Sequence, residues 1–178
     1  MRVLLLSPHQ SLIKAFEGVD DEVVQTIDKV DANFVRGFDW IVSYGYRHIL
    51  KKDVLDLVPA INLHMSYLPW NRGVDPNYWS WVDNTPKGYT IHLIDEGLDT
   101  GDILIRTEIP LDIETETLAT SYKILTKYME DIFIQTWPVL RMNRIQGLPQ
   151  EGKGSYHRSS EKPILLKGWD TPVKELIK

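Results

Sequence analysis

Asp39-Trp40-Ile41-Val42-Ser43-Tyr44-Gly45, then Lys52 to Val58, then Pro59 and Ala60-Ile61-Asn62-Leu63-His64, reads as strand, helix, strand. The continuous apolar run at 40–42 is the pattern of a strand covered on both faces. Tyr44-Gly45 stops it, and Pro59 ends the helical segment. Val3-Leu4-Leu5-Leu6 repeats the buried-strand pattern, and Glu22 to Ile27 reads as a further strand. Ser11 to Phe16 suits a short helix, and Ala32 to Arg36 a helical turn ended by Gly37. Strands alternating with short helices imply right-handed βαβ units: an α/β fold, a mostly parallel central sheet with helices on both faces. Ligands of such sheets collect at the carboxyl ends of the strands. Tyr44–Leu50 and Met65–Gly73 therefore line one predicted crevice.

Downstream, Asp75-Pro76 has the form of a helix start, with Asp as N-cap and Pro at the first helical position, running to about Val82. Residues 83–88 are turn chemistry. Tyr89–Ile94 and Ile103–Ile109 read as strands joined by the Asp95–Asp102 loop. From Thr117, the apolar positions Leu118, Tyr122, Leu125, Met129, Ile132, Thr136/Trp137 and Leu140 mark one long amphipathic helix. Pro138 is expected to kink or end it. Gly147–Pro163 is rich in Gly, Ser, Lys and Pro and reads as loop. The expected organisation is a catalytic domain over 1–146, with 147–178 as a loop and tail packed on it.

The chain's 178 residues suffice for one domain with a sizeable core. With 43% hydrophobic and 25% charged residues it is a globule and not a disordered chain. Zero cysteines exclude disulfides, thiolate metal sites and a thiol nucleophile. The apolar start breaks at Ser7-Pro8-His9-Gln10, too short for a secretory signal, and no run spans a membrane. A cytoplasmic location, without membrane partners, is the expectation. A net charge of −5 argues against a nucleic-acid partner, because phosphate neutralisation needs a basic surface. Arg47, Lys51, Lys52 and Arg72 are either solvated charges or holders of a small phosphorylated ligand.

Residues two apart on a strand share a face, so Asn62 and His64 point one way while Ile61 and Leu63 pack the other. An amide donor and an imidazole at a strand end suit acyl transfer. That chemistry needs oxyanion stabilisation, a group to manage a proton and a partner to orient it. Asp99 is a candidate for the third role. The bland alternative is a strand-end Asn bonded to backbone and a satisfied core His. The loop bearing Asp95, Asp99 and Asp102 is a poor EF-hand: Gly97 takes the third position, Thr100 the sixth and Arg106 the twelfth. No HExxH, GxSxG or Walker A occurs, and no glycine follows the first strand. No metal is expected.

Asn62-Leu63-His64-Met65-Ser66-Tyr67-Leu68-Pro69, Arg72-Gly73 and Asp95-Glu96-Gly97-Leu98-Asp99-Thr100-Gly101, with His92 seven residues before Asp99, resemble the core of the folate-dependent formyltransferases. The resemblance implies the Rossmann-like formyltransferase fold. It implies a formyl group moved from N10-formyltetrahydrofolate, the co-substrate, to an amine, with catalytic roles at Asn62, His64 and Asp99. It places the folate against Tyr44, Gly45, Tyr46, Arg47, Ile49, Leu50, Asp95 and Gly97. Asp75–Trp81, Thr85–Gly88 and Gly154–Arg158 are similar to the sugar-nucleotide N-formyltransferases in particular. The implied acceptor is an amino-sugar nucleotide, with Arg72, Asp75, Trp79, Tyr156 and His157 as candidate contacts. The likeness is read over about residues 39–160, with a poor match in the first 35 and without the C-terminal domain of the longer members. Alternatives are a formyltetrahydrofolate hydrolase and an inactive folate- or nucleotide-binding module. The apolar face of the 117–140 helix is either core or a homodimer contact.

Overall fold

The computed structural model describes residues 1–142 and 146–177. Its sheet has six strands: β1 (Arg2–Leu6), β2 (Glu22–Thr26), β3 (Trp40–Tyr44), β4 (Ala60–His64), β6 (Gly88–Leu93) and β7 (Ile103–Glu108), ordered β2-β1-β3-β4-β6-β7. The first four run parallel. β6 and β7 add antiparallel at the far edge. This is the mostly parallel α/β sheet that the sequence predicts, with an antiparallel pair at one edge.

Strand alternation divides the core between two layers. Val3, Leu5, Val42, Ile61 and Leu63 face α1 (Ile13–Glu17) and α4 (Leu118–Leu140), meeting Phe16, Leu125, Met129, Phe133 and Trp137. Leu4, Leu6, Ile41 and Ala60 face the other way, onto Val30, Val35, Phe38, Val54 and Val58. The latter layer includes α2 (Lys52–Leu55), shorter than the predicted 52–58: Asp56 keeps helical φ and ψ, and the chain to Val58 closes as a turn in which the Leu57 and Val58 amides both donate to the Val54 carbonyl.

α4 buries Leu118, Ser121, Leu125, Met129, Phe133, Trp137 and Leu140. Phe133 takes the buried position that the sequence pattern gives to Ile132, and Tyr122 is only half-buried. Thr117 caps the helix by accepting from the Thr120 amide at 3.2 Å. The helix continues through the exposed Pro138, which has no N–H to bond the carbonyl four residues earlier, and ends two residues later.

α3 (Pro76–Val82) starts where predicted, but not by the predicted cap. Asp75 is left-handed, with φ 55°, and its side chain caps nothing. The carboxylate is instead paired with Lys162 of the C-terminal tail. That tail is tied down at several points. β8 (Tyr156–His157) pairs in parallel with β5 (Arg72–Gly73), and Thr117 bridges to Pro172. Val173 is fully buried, in a cluster with Tyr78 and Trp81 of α3.

Candidate active site

β3 and β4 end side by side, at Tyr44 and His64. A cleft of about 960 Å³ opens at these carboxyl ends. Its floor is Asn62 and His64 from β4 with His92 from β6. Asn62 and His92 are register partners across the antiparallel pair, so the pleat projects both side chains to one face. The 95–102 loop then returns over them and delivers Asp99.

Asp99 is the hub. Asn62 Nδ2 donates to its Oδ1 at 3.2 Å, and the Gly73 amide donates to its Oδ2 at 2.9 Å. His64 Nδ1 lies 3.6 Å from Oδ2, and His92 Nε2 3.5 Å from Oδ1. Asp99 has φ 53°, a left-handed conformation that Asp tolerates better than most residues. Gly73 has φ +91°, and a Cβ there would lie 2.3 Å from the His157 carbonyl oxygen. Only glycine brings this amide to the carboxylate while β8 passes behind it.

The imidazoles have defined tautomers. His64 Nε2 lies 3.0 Å from the Asn71 carbonyl, and His92 Nδ1 2.7 Å from the Leu93 carbonyl. A carbonyl only accepts, so each of these nitrogens carries hydrogen. The nitrogen free to take a proton is Nδ1 in His64 and Nε2 in His92, and both face Asp99. Burial pushes His64 below the usual histidine range, against the opposing pull of Asp99. Burial alone would raise the Asp99 carboxyl. The two imidazoles and the Gly73 amide outweigh it and hold the group well below the usual carboxylate range. The resting site is thus a neutral His64 beside an ionised Asp99. The Asn62 amide hydrogens are both directed inward, one to Asp99 and one to His92 Nε2 at 3.4 Å.

The residues that the resemblance gives to folate line one side of the same cleft: Tyr44, Gly45, Tyr46, Arg47, Ile49 and Leu50, with Asp95 and Gly97. Gly45 has φ +68°, so the sharp departure from β3 itself requires glycine. Tyr44 is a wall anchored from beneath, its hydroxyl donating to Glu130 at 2.8 Å. Burial and that carboxylate push its ionisation far up, so the phenol stays neutral. Ile49 is exposed at the mouth. Among the described residues, no group of three or more His, Cys, Asp or Glu is arranged to hold a metal. No described helix is long and apolar enough to cross a membrane.

Of the five expected acceptor contacts, only Asp75 lines the cleft. Arg72 turns away and donates to Gln150 Oε1 at 3.1 and 2.7 Å. Trp79 is buried, stacked face to face on His157 with ring centres 4.0 Å apart. His157 is held there by Asp83, 2.7 Å from its Nε2. Tyr156 is exposed and packs over Gly73. None of these four lines the cleft. The reading of sequence missed residues that do line it: Tyr78 on α3, Tyr122 on α4, and Lys162 and Trp169 from the tail. Tyr122 sits at core spacing on α4, and nothing local marks the tail residues.

The family model for formyl transferases matches residues 3–136, so the likeness begins in β1 and includes the first 35 residues that the motifs had left out. Formyltransferase PseJ from Anoxybacillus kamchatkensis, solved in complex with UDP-4,6-dideoxy-4-formamido-L-AltNAc and tetrahydrofolate, is 44% identical. It superposes with a TM-score of 0.93 over 99% of this chain and 98% of that one. A sugar N-formyltransferase from Shewanella sp FDAARGOS_354 shares the fold, with a TM-score of 0.83 at 20% identity over 99% of this chain and 85% of the other. A methionyl-tRNA formyltransferase of Clostridium botulinum is 31% identical over 84% of this chain and 47% of its own length. The chain spans about half the length of the curated relatives it matches. With three-quarters of its length matched, and the sheet and cleft described above, the chain belongs to the formyl transferase family.

Proposed function

We propose that this protein transfers a formyl group from N10-formyltetrahydrofolate to the amine of an amino-sugar nucleotide. The observation that carries the reading is Asp99, ionised at the cleft floor, with the proton-accepting Nδ1 of His64 beside it. The 44% identity to PseJ over nearly the whole of both chains supports a UDP-linked amino sugar as the acceptor class.

The acceptor amine attacks the formyl carbon, forming a C–N bond and placing negative charge on the formyl oxygen. Neutral His64 takes the amine proton at Nδ1. The resulting imidazolium is stabilised by Asp99, 3.6 Å away, and by the Asn71 carbonyl on its other nitrogen. Asn62 keeps its bond to Asp99 and turns its second amide hydrogen from His92 to the oxyanion, a stronger charged partner than the 3.4 Å contact it gives up. Collapse breaks the bond to N10, which receives the proton from His64. The products are a formamido sugar and tetrahydrofolate. The folate sits against the 44–50 and 95–99 loops, whose backbone groups suit the amide-like edge of a pterin.

The test is an assay of tetrahydrofolate release with a panel of amino-sugar nucleotides, methionyl-tRNA and no acceptor. Release that requires an amino-sugar nucleotide supports the reading. Release without acceptor, or with methionyl-tRNA alone, overturns it.

A further inference from the structure

The tail after residue 146 lies outside the span that the family model matches, yet it supplies one side of the cleft. Two of its side chains there have the chemistry of a nucleotide site. Lys162 is the charged side chain that the described tail contributes to the cleft wall. It is about three-quarters buried and donates to Asp75 Oδ1 at 2.9 Å. Its ammonium also sits 5.2 Å from the Tyr78 ring centre and 5.8 Å from that of Trp169. Trp169 packs edge-on against Tyr122 of α4, 5.2 Å between centres, and is 55% exposed. An indole braced on one side and open on the other is a stacking surface, and a fixed ammonium beside it is an anion site. The other lysine or arginine among the described residues of the cleft wall, Arg47, comes from the β3 loop on the folate side.

We propose that Lys162 and Trp169 form the acceptor's nucleoside-diphosphate site, Trp169 stacking on the base and Lys162 binding the diphosphate. This rests on the amino-sugar-nucleotide reading. The pair with Asp75 explains how Lys162 stays in place without ligand. One carboxylate neutralises it and orients its stem, and a diphosphate, carrying more charge, displaces or joins that carboxylate. Specificity for a nucleotide-linked sugar would then lie in the tail, and formyl chemistry in the strand-end floor.

Binding of UDP and of uridine, followed by calorimetry for wild type, Lys162→Gln, Lys162→Arg and Trp169→Leu, tests this. Lys162→Gln is expected to weaken UDP by about tenfold and leave uridine unchanged, with Lys162→Arg restoring most of the loss. Trp169→Leu is expected to weaken both ligands, as loss of a base-stacking platform does. Folinic acid binding should be unaffected in all three and reports an intact fold. Lys162→Gln binding UDP like wild type, or losing UDP and uridine equally, overturns the assignment while the formyl-transfer reading stands. Wild type that binds no UDP and formylates no amino-sugar nucleotide overturns both.

Discussion

His64 Nδ1 stands 3.6 Å from Asp99 Oδ2, and it is the one nitrogen of that ring free to gain a proton. Because burial lowers the His64 pKa, the base form dominates at neutral pH. kcat/KM is therefore expected to rise with pH through a value below the ordinary histidine pKa of about 6.5 and to level off above it. His64→Asn should lower kcat by about 100-fold or more and remove this acid limb. Steady-state kinetics across pH 5–8 (about that range) check both effects.

The same two pKa shifts bear on stability. The His64 pKa is lowered on folding, so the unfolded chain binds more protons as pH falls below about 6.5, and folding weakens in that direction. Asp99, also lowered, contributes stability that is fully present above the ordinary carboxylate pKa of about 4 and is lost progressively as pH falls below it. Thermal melts should show wild type losing more Tm than His64→Asn as pH drops from about 6.5 to 5.

Asn62→Ala and Asp99→Asn should each cost about 100- to 1000-fold in kcat, the usual effect of removing an oxyanion donor or its orienting partner. Asp99→Asn should remain folded, since Asn also accepts the left-handed backbone at this position. Circular dichroism alongside turnover separates loss of chemistry from loss of fold.

Arg72 acts through Gln150. Gln150 Nε2 donates to the carbonyls of Asp99 at 2.8 Å and Gly101 at 2.9 Å, and Arg72 fixes its Oε1. Arg72→Ala should lower kcat by about tenfold through a loosened Asp99 loop, with the acceptor KM unchanged. A rise in acceptor KM with constant kcat would instead make Arg72 a substrate contact.

Gly73→Ala sets a Cβ against the His157 carbonyl at a left-handed backbone. It should detach β8 from β5, destabilise the protein by about 1–3 kcal/mol and cut turnover by displacing the amide that Asp99 accepts. Limited proteolysis of the tail and denaturant melts report the two losses. Trp137→Ala, in contrast, should cost about 3–5 kcal/mol without touching the site, for Trp137 is fully buried under α1 and far from the cleft floor in sequence and role.

The alternation of Ala60–His64 was readable because period two is local: Ile61 and Leu63 pack on α4 while Asn62 and His64 face the cleft. The His92–Asp99 spacing was readable for a similar reason, a strand end followed by a short returning loop. The Trp79–His157 stack, the Arg72–Gln150 pair and the Lys162–Asp75 pair join residues about eighty positions apart, and no local pattern encodes them. Arg72, Trp79, Tyr156 and His157 are expected as acceptor contacts, and none of them lines the cleft. Asp75 was misread as a cap because Asp-Pro is a common helix start, whereas here a tail lysine claims the carboxylate.

The most direct test is NMR of the acceptor after incubation of a UDP-linked amino sugar with N10-formyltetrahydrofolate and the protein. A formyl proton resonance on the sugar nitrogen, formed by wild type and absent with His64→Asn, is the predicted result. Tetrahydrofolate released with no formyl group on the sugar, or equal product from His64→Asn, would contradict the account.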